Sequence, residues 1–280
     1  MKDETYYKAM RIRMVEEEIS RRYKEKKMRC PVHLSIGQEL NAAVLCEYLT
    51  KEDQMVSTHR GHAHYLAKGG SLDRFIAELH GKATGCSGGL GGSMHLCDRD
   101  CGFLGSTSIV GGTIPIGVGL AFANKLQKKE NIVVVCLGDA AIEEGVFWES
   151  LNFALLHSLK VLFFCENNEF SCYTHIRERQ HEHFIPEDPQ GYLSFKDHID
   201  RVRSGNPSFI SVRSNRLVEH CGPDNDDHLG YKHHEHLNAP DLLLDFDYDQ
   251  KKLNEYKLEI DRAFKFAEDS KFPESTVLFA

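Results

Sequence analysis

Apolar residues along this chain fall into two rhythms. Residues 132–137 (IVVVCL) and 161–165 (VLFFC) are short apolar runs rich in β-branched residues, and positions 143–158 between them carry apolar residues at helical spacing. Runs that short predict strands covered on both faces, and a helix joining them makes the strands parallel. The carboxyl ends of both strands then lie at one edge of one sheet. Residues 4–27 place Tyr7, Met10, Met14 and Tyr23 along a charged segment, which predicts an amphipathic helix with a solvated polar face. Gly37 precedes a helical run with Leu40, Val44 and Leu45 on one side and Gln38 and Glu39 in its first turn. Residues 209–212 (FISV) predict a later strand. Leu253, Tyr256, Ile260, Phe264 and Ala267 predict a closing helix stopped before Phe272-Pro273.

Eleven of the 22 glycines fall within 85–119, so the backbone there turns tightly or approaches something closely. They interleave with Leu90, Met94, Ile109, Val110, Ile114, Pro115 and Ile116, which predicts an ordered loop entering a packed helix rather than a flexible linker. No internal repeat or domain linker interrupts the pattern. The chain reads as one α/β domain over 1–280, a parallel sheet flanked by helices, with an N-terminal helical extension over about 1–30.

Asp139 leaves the strand at 132–137, and Asn168 leaves the strand at 161–165. Ligands of parallel α/β sheets bind beyond the strand carboxyl ends, so a carboxylate and an amide oxygen converge where a hard cation such as Mg²⁺ would sit. Gly138, Asp139, Ala140 and Ala141 stand at the start of the intervening helix, whose free N–H groups attract an anion. The plainer alternative is that Asp139 is a helix cap and residues 166–168 an ordinary turn.

A hydrophobic content of 41% over 280 residues suffices for a packed core. A net charge of −8 with no basic stripe argues against nucleic acid as a partner. The opening MKDETYYKAM lacks a signal-peptide core, and no apolar run is long enough to cross a bilayer, so the expectation is a cytoplasmic protein with no membrane partner. Nine cysteines, among them Cys46, Cys136 and Cys165 inside apolar runs, suit reduced buried thiols. His95, Cys97 and Cys101 offer only three ligands without a second paired half, which favours coincidence over zinc. The Asp- and His-dense stretch 223–236 fails the calcium-loop spacing and reads as an exposed loop. A nicotinamide fingerprint GxGxxG is absent.

GDAAIEEG, then ESLNFA, then ENNEF, with Asn168 twenty-nine positions after Asp139, resembles the thiamine-diphosphate motif. The family is that of the alpha subunits of 2-oxoacid dehydrogenase first components, acetoin dehydrogenase included. The resemblance implies the thiamine-diphosphate-binding fold, with Mg²⁺ ligated by Asp139, Asn168 and the carbonyl of Phe170. Gly138, Asp139, Ala140, Ala141 and Asn168 would then face the cofactor. Ala140 stands where the family usually has Gly, which narrows the room beside the diphosphate. HLSIGQE at 33–39 is similar to a family segment whose His, here His33, lies near substrate. HRGHAH at 59–64 resembles another, implying diphosphate contacts from His59 and Arg60 and a substrate-facing His62. The segment 88–123 resembles the family's aminopyrimidine-binding stretch, whose contacts fall to Ser108 and Val110. Thr107-Ser108 replaces Asn-Gly there, so a position requiring positive φ would be strained. His220 matches a His on the cofactor-facing loop. The family's YGIPG and VDGND strings are missing, which marks a shortened region over about 175–205.

The resemblance implies an oxidoreductase component that decarboxylates a 2-oxoacid or cleaves an acetoin-like ketone and passes the acyl group to an acceptor such as a lipoyl carrier. His33, His62 and His220 would be its catalytic proton-transfer groups. The glutamate that activates the cofactor comes, in this family, from a beta subunit, so an alpha/beta heterotetramer is expected, with a homodimer through the glycine-rich helices as the other arrangement. The alternative is a catalytically degenerate member acting as a binding or regulatory subunit, motivated by Ala140, Thr107-Ser108 and the shortened region.

Overall fold

The computed structural model describes residues 2–181, 191–232 and 241–275. Its centre is a five-stranded sheet of β1 (Gln54–Ser57), β2 (Phe103–Ser106), β3 (Val133–Gly138), β4 (Val161–Asn167) and, after a short antiparallel hairpin of β5 (Phe170–Ser171) and β6 (Thr174–His175), β7 (Ser208–Arg213). The strand order is β2-β1-β3-β4-β7, and every neighbouring pair is parallel. The helices are α1 (Asp3–Tyr23), α2 (Glu39–Glu47), α3 (His62–Ala67), α4 (Leu72–Leu79), α5 (Thr113–Leu126), α6 (Gly145–Leu156), α7 (Phe195–Arg203) and α8 (Gln250–Asp269).

Alternation along the strands divides the core in two. Val134, Cys136, Leu162 and Phe164 pack with residues of α1, α2, α4, α7 and α8 on one face, whereas Val133, Val135, Val161 and Phe163 pack with α5 and α6 on the other. Both faces being covered is why β3 and β4 read as unbroken apolar runs. α5 lies unusually close to its face: a Cβ on Gly117 would fall 2.3 Å from Cγ2 of Val135.

Three expectations shift. The buried face of α1 is Thr5, Ala9, Ile12, Arg13, Val15, Glu16 and Ile19, whereas Tyr7, Met10, Met14 and Tyr23 are only half-buried. The reason is a buried ion pair: Arg13 meets Glu39 of α2 at 2.5 Å, with side chains 5% and 1% exposed. The helix after β3 starts later than its apolar spacing suggests, because Asp139–Glu143 forms a 3₁₀ turn and Glu144 is extended before α6 begins. Neither Thr107 nor Ser108 has positive φ; in that loop Gly111 takes the left-handed conformation at φ 75, so the expected strain is not there.

The nine cysteines are free thiols, with Cys46, Cys136 and Cys165 buried. His95, Cys97 and Cys101 form no metal-ligand group among the described residues. Of the stretch 223–236, residues 233–236 lie outside the described residues. Asp226, expected in an exposed loop, is buried and tied to Tyr231 and Lys232. Part of the shortened region, 182–190, also lies outside the described residues, and β7 pairs directly with β4. Among the described residues, no helix is long and apolar enough to cross a membrane.

Candidate active site

The chain passes from β1 outward to β2 and then back across to β3, so the sheet reverses direction between β1 and β3. Such a reversal opens a crevice at the strand carboxyl ends. A cavity of about 240 Å³ lies there, and residues from beyond the ends of all five strands line it. Thr58, His59 and Arg60 come after β1; Thr107 to Gly111 after β2; Asp139, Ala140 and Ala141 after β3; Asn168 after β4; Arg216 and His220 after β7. His33, Gln38, Glu166 and Phe170 complete much of the wall.

Arg60 carries the strongest electrostatic feature. It is 8% exposed, and its guanidinium donates only to uncharged acceptors, the carbonyls of Leu34 and His220 at 2.9 Å each and His220 Nδ1 at 3.3 Å. Burial and the nearby Arg216 pull its pKa down to about 10. Among the described residues no carboxylate reaches it within ion-pair range, so a buried positive charge faces the cavity ready for an anion. Arg216, also buried, is instead engaged by Tyr231, the Cys172 carbonyl and Asp226.

His33, His59 and His220 cluster beside these guanidinium groups, each offering a ring nitrogen within 4.8 Å of the others. Burial, aided by the positive charge of Arg60, pushes them down to about 3, 4 and 3 respectively, so all three are neutral at pH 7. A neutral imidazole keeps a lone pair for accepting a proton. Two adjacent arginines make this trio a poor cation site despite its geometry.

Elsewhere in the lining, Asp139 is 2% exposed and accepts a bond from the Asn168 backbone, which places the two oxygen-bearing residues side by side. Burial pushes the Asp139 carboxyl above its ordinary value, while Arg179 and that amide pull it back. Asn168 Oδ1 accepts from Phe170 N at 2.9 Å, which holds the turn after β4 in shape. A carboxylate, an amide and a chain carbonyl form a hard-oxygen donor set of the kind Mg²⁺ takes.

Three buried polar atoms of cavity-lining residues, His33 Nδ1, Gln38 Oε1 and Glu166 Oε1, have no hydrogen-bond partner among the described residues. Buried polar atoms are ordinarily satisfied, so three in one cavity mark the surface that a polar ligand covers. The guanidinium without a carboxylate partner, the oxygen set and these orphans together fit a metal-bound diphosphate cofactor.

Every residue expected at the cofactor, His59, Arg60, Ser108, Val110, Gly138, Asp139, Ala140, Ala141 and Asn168, lines the one cavity. So do Phe170, His33 and His220. His62 does not. It is fully buried, with Nδ1 3.0 Å from Glu16 and Nε2 2.8 Å from Ser93, so both nitrogens are engaged away from the cavity. Ser93 in turn lies 3.4 Å from His33 N, which links His62 to the cavity-lining His33. Gln38, Glu166, Arg179 and Arg216 were not expected as site residues. Burial raises Glu166 to about 8, so this carboxyl is largely protonated at neutral pH. Arg216 stands three residues beyond the end of β7, and the rule that parallel sheets bind ligands past their strand ends could have singled it out.

The chain matches the family model described as dehydrogenase E1 component over residues 7–192. It is 33% identical over 301 aligned positions to the alpha subunit of an acetoin:2,6-dichlorophenolindophenol oxidoreductase from Bacillus subtilis (strain 168), covering 98% of this chain and 90% of that one. With the pyruvate dehydrogenase E1 component subunit alpha of Rickettsia bellii it shares 46% identity over 144 residues, 51% of this chain and 44% of that protein. Among solved structures, a transketolase from Campylobacter jejuni superposes with a TM-score of 0.61 at 15% identity, covering 100% of this chain and 50% of that one, a likeness of fold alone.

Proposed function

Because the chain belongs to the family of dehydrogenase E1 components, we propose that it is an alpha-type subunit that binds thiamine diphosphate with Mg²⁺ and acts on a 2-oxoacid or an acetoin-like ketone. The observation that carries this reading is the pairing, across one cavity, of the uncompensated guanidinium of Arg60 with the oxygens of Asp139 and Asn168. Asp139, Asn168 and the carbonyl of Phe170 would hold the metal, and Arg60 with His59 the diphosphate. Gly138, Ala140 and Ala141 would flank that end, with Ser108 and Val110 beside the ring. Thiamine diphosphate, when bound, supplies a carbanion and an electron sink for breaking a bond next to a carbonyl. His33 and His220 are neutral and within reach of the same space, so they are the groups that move protons during that chemistry.

Exposed apolar side chains support the alpha-type reading. Ile109 and Val110 on the cavity rim are 67% and 51% exposed, and the apolar surface continues over Ile116 and Leu126 of α5 and Trp148, Leu155 and Leu156 of α6. Helices apolar on nearly all sides are normally covered. A beta subunit seated there would close the rim and bring the activating glutamate. A lipoyl carrier would then accept the acyl group.

The test is to assay 2-oxoacid decarboxylation and acetoin cleavage with and without a coexpressed beta partner, alongside calorimetry with thiamine diphosphate and Mg²⁺. The lone chain should turn over nothing, the complex should be active, and Asp139→Asn should lose the heat of cofactor binding. At about 100 times Kd the cofactor should raise unfolding free energy by about 2.7 kcal/mol in the wild type and not in the variant. Full activity without a partner rejects the half-site reading, and no cofactor binding by the complex rejects the whole.

A further inference from the structure

Asp139 already carries a cation from its own chain. Arg179 Nη2 lies 2.5 Å from Asp139 Oδ2, with the two side chains 10% and 2% exposed. The same guanidinium binds Glu143 through Nη1 and the Thr174 carbonyl through Nε at 3.2 Å. Gln180 repeats the grip next door, donating to the Asp139 carbonyl at 3.1 Å and to Glu143 Oε1 at 2.7 Å. Two consecutive residues therefore clasp the 3₁₀ turn Asp139–Glu143.

The clasp closes a short circuit of chain. Asn168 and Phe170 open the segment, the β5–β6 hairpin turns it back, and Arg179 ends it on the carboxylate beside which it began. One stretch of twelve residues, 168–179, thus supplies two proposed metal oxygens and a cation on the third. Arg179 occupies one oxygen of the Asp139 carboxylate, so a divalent ion held by the same carboxylate would sit beside a guanidinium and the two like charges would repel.

We propose that Arg179 and the divalent metal compete for Asp139, so that loading the metal releases the Arg179–Gln180 clasp and resets the 170–181 segment along the cavity rim. This rests on the reading of Asp139 as a metal ligand. Arg179 acts as a built-in counter-ion to the Asp139 carboxylate, and metal affinity is lowered by the interaction that must first be broken. The segment that moves carries Ser171 and Cys172, both part of the cavity wall, so metal occupancy changes the shape of the entrance.

Calorimetric titration of the chain, co-purified with its beta partner, with Mg²⁺ at saturating thiamine diphosphate tests this, comparing wild type, Arg179→Gln and Arg179→Lys, with hydrogen exchange of the 170–181 amides read in parallel. Arg179→Gln removes the competing charge and should bind Mg²⁺ about tenfold tighter, while Arg179→Lys keeps it and should stay near wild type. Adding Mg²⁺ should speed exchange across 170–181 in wild type and leave Arg179→Gln unchanged. Wild-type binding with an Arg179→Gln variant that binds equally or more weakly overturns the competition but leaves the proposed function standing. No Mg²⁺-dependent heat from wild type or either variant removes the metal site and this inference with it. Circular dichroism establishes that each variant is folded, and Arg179→Met, which also removes the charge, takes the place of Arg179→Gln should that variant lose structure.

Discussion

Gly117→Ala should destabilise this chain even though alanine is the better helix former. A Cβ at Gly117 would lie 2.3 Å from Val135 Cγ2 and 3.0 Å from Val56 Cγ2. Those valines are 0% and 2% exposed on adjacent central strands, so neither can yield without parting α5 from the sheet. Helix propensity favours alanine over glycine by about 1 kcal/mol, while forcing a methyl into a packed core costs about 1–3 kcal/mol. A 2.3 Å approach places this site at the severe end, for a net loss of about 1–2 kcal/mol. In a domain of this size that lowers Tm by about 2–8 °C. Gly119, two residues along the same helix, supplies the control, because a Cβ there meets nothing within 4 Å. Gly119→Ala should therefore gain up to about 1 kcal/mol from propensity alone. Thermal unfolding of the two variants, tracked by circular dichroism, decides the matter: opposite signs are expected, and stabilisation by both would refute the close seating of α5. Since the first turn of α5 lines the cavity, Gly117→Ala should also weaken cofactor binding.

Removing the guanidinium of Arg13 strands the buried carboxylate of Glu39, and breaking one side of such a pair costs about 3–5 kcal/mol. Urea unfolding of Arg13→Ala measures this, and a loss below about 1 kcal/mol would mean the pair is not structural. His33, His59 and His220 titrate lower in the folded chain than in the unfolded one, where imidazoles titrate near 6.5. The unfolded state therefore binds more protons below about pH 6.5, so their stabilising contribution is whole above that value and is lost as pH falls toward about 4. Urea midpoints between pH 7.5 and 5 should decline for the wild type and decline less for His33→Gln; a wild-type profile that rises on acidification contradicts the neutral cluster.

The central strands were legible because burial on both faces leaves a continuous apolar run, and Asp139 and Asn168 were legible because each stands directly after one. β1 and β2 were not. Each has four residues, QMVS and FLGS, too few and too mixed to show a period, and they are strands because β3 pairs with β1, and β1 with β2. α3 was hidden for a different reason: its first and third residues are histidines, and only the fold shows that His62 meets Glu16 and His64 lies 3.3 Å from Glu166. The packing face of α1 was misplaced because Arg13 and Glu16, which an apolar pattern assigns to solvent, are buried with their partners. Arg179 had no local signal, since its partner Asp139 lies 40 positions earlier and the two meet only after the hairpin has folded.

The ladder that joins β3 to β4, ending with Gly138 opposite Glu166, acts as a gauge for the chemistry beyond it. Slipping one strand by a single step would carry Asn168 about 3.3 Å past Asp139 and turn every β4 side chain to the opposite face. Substitutions that loosen this ladder would thus detune the spacing of two oxygens without touching either residue.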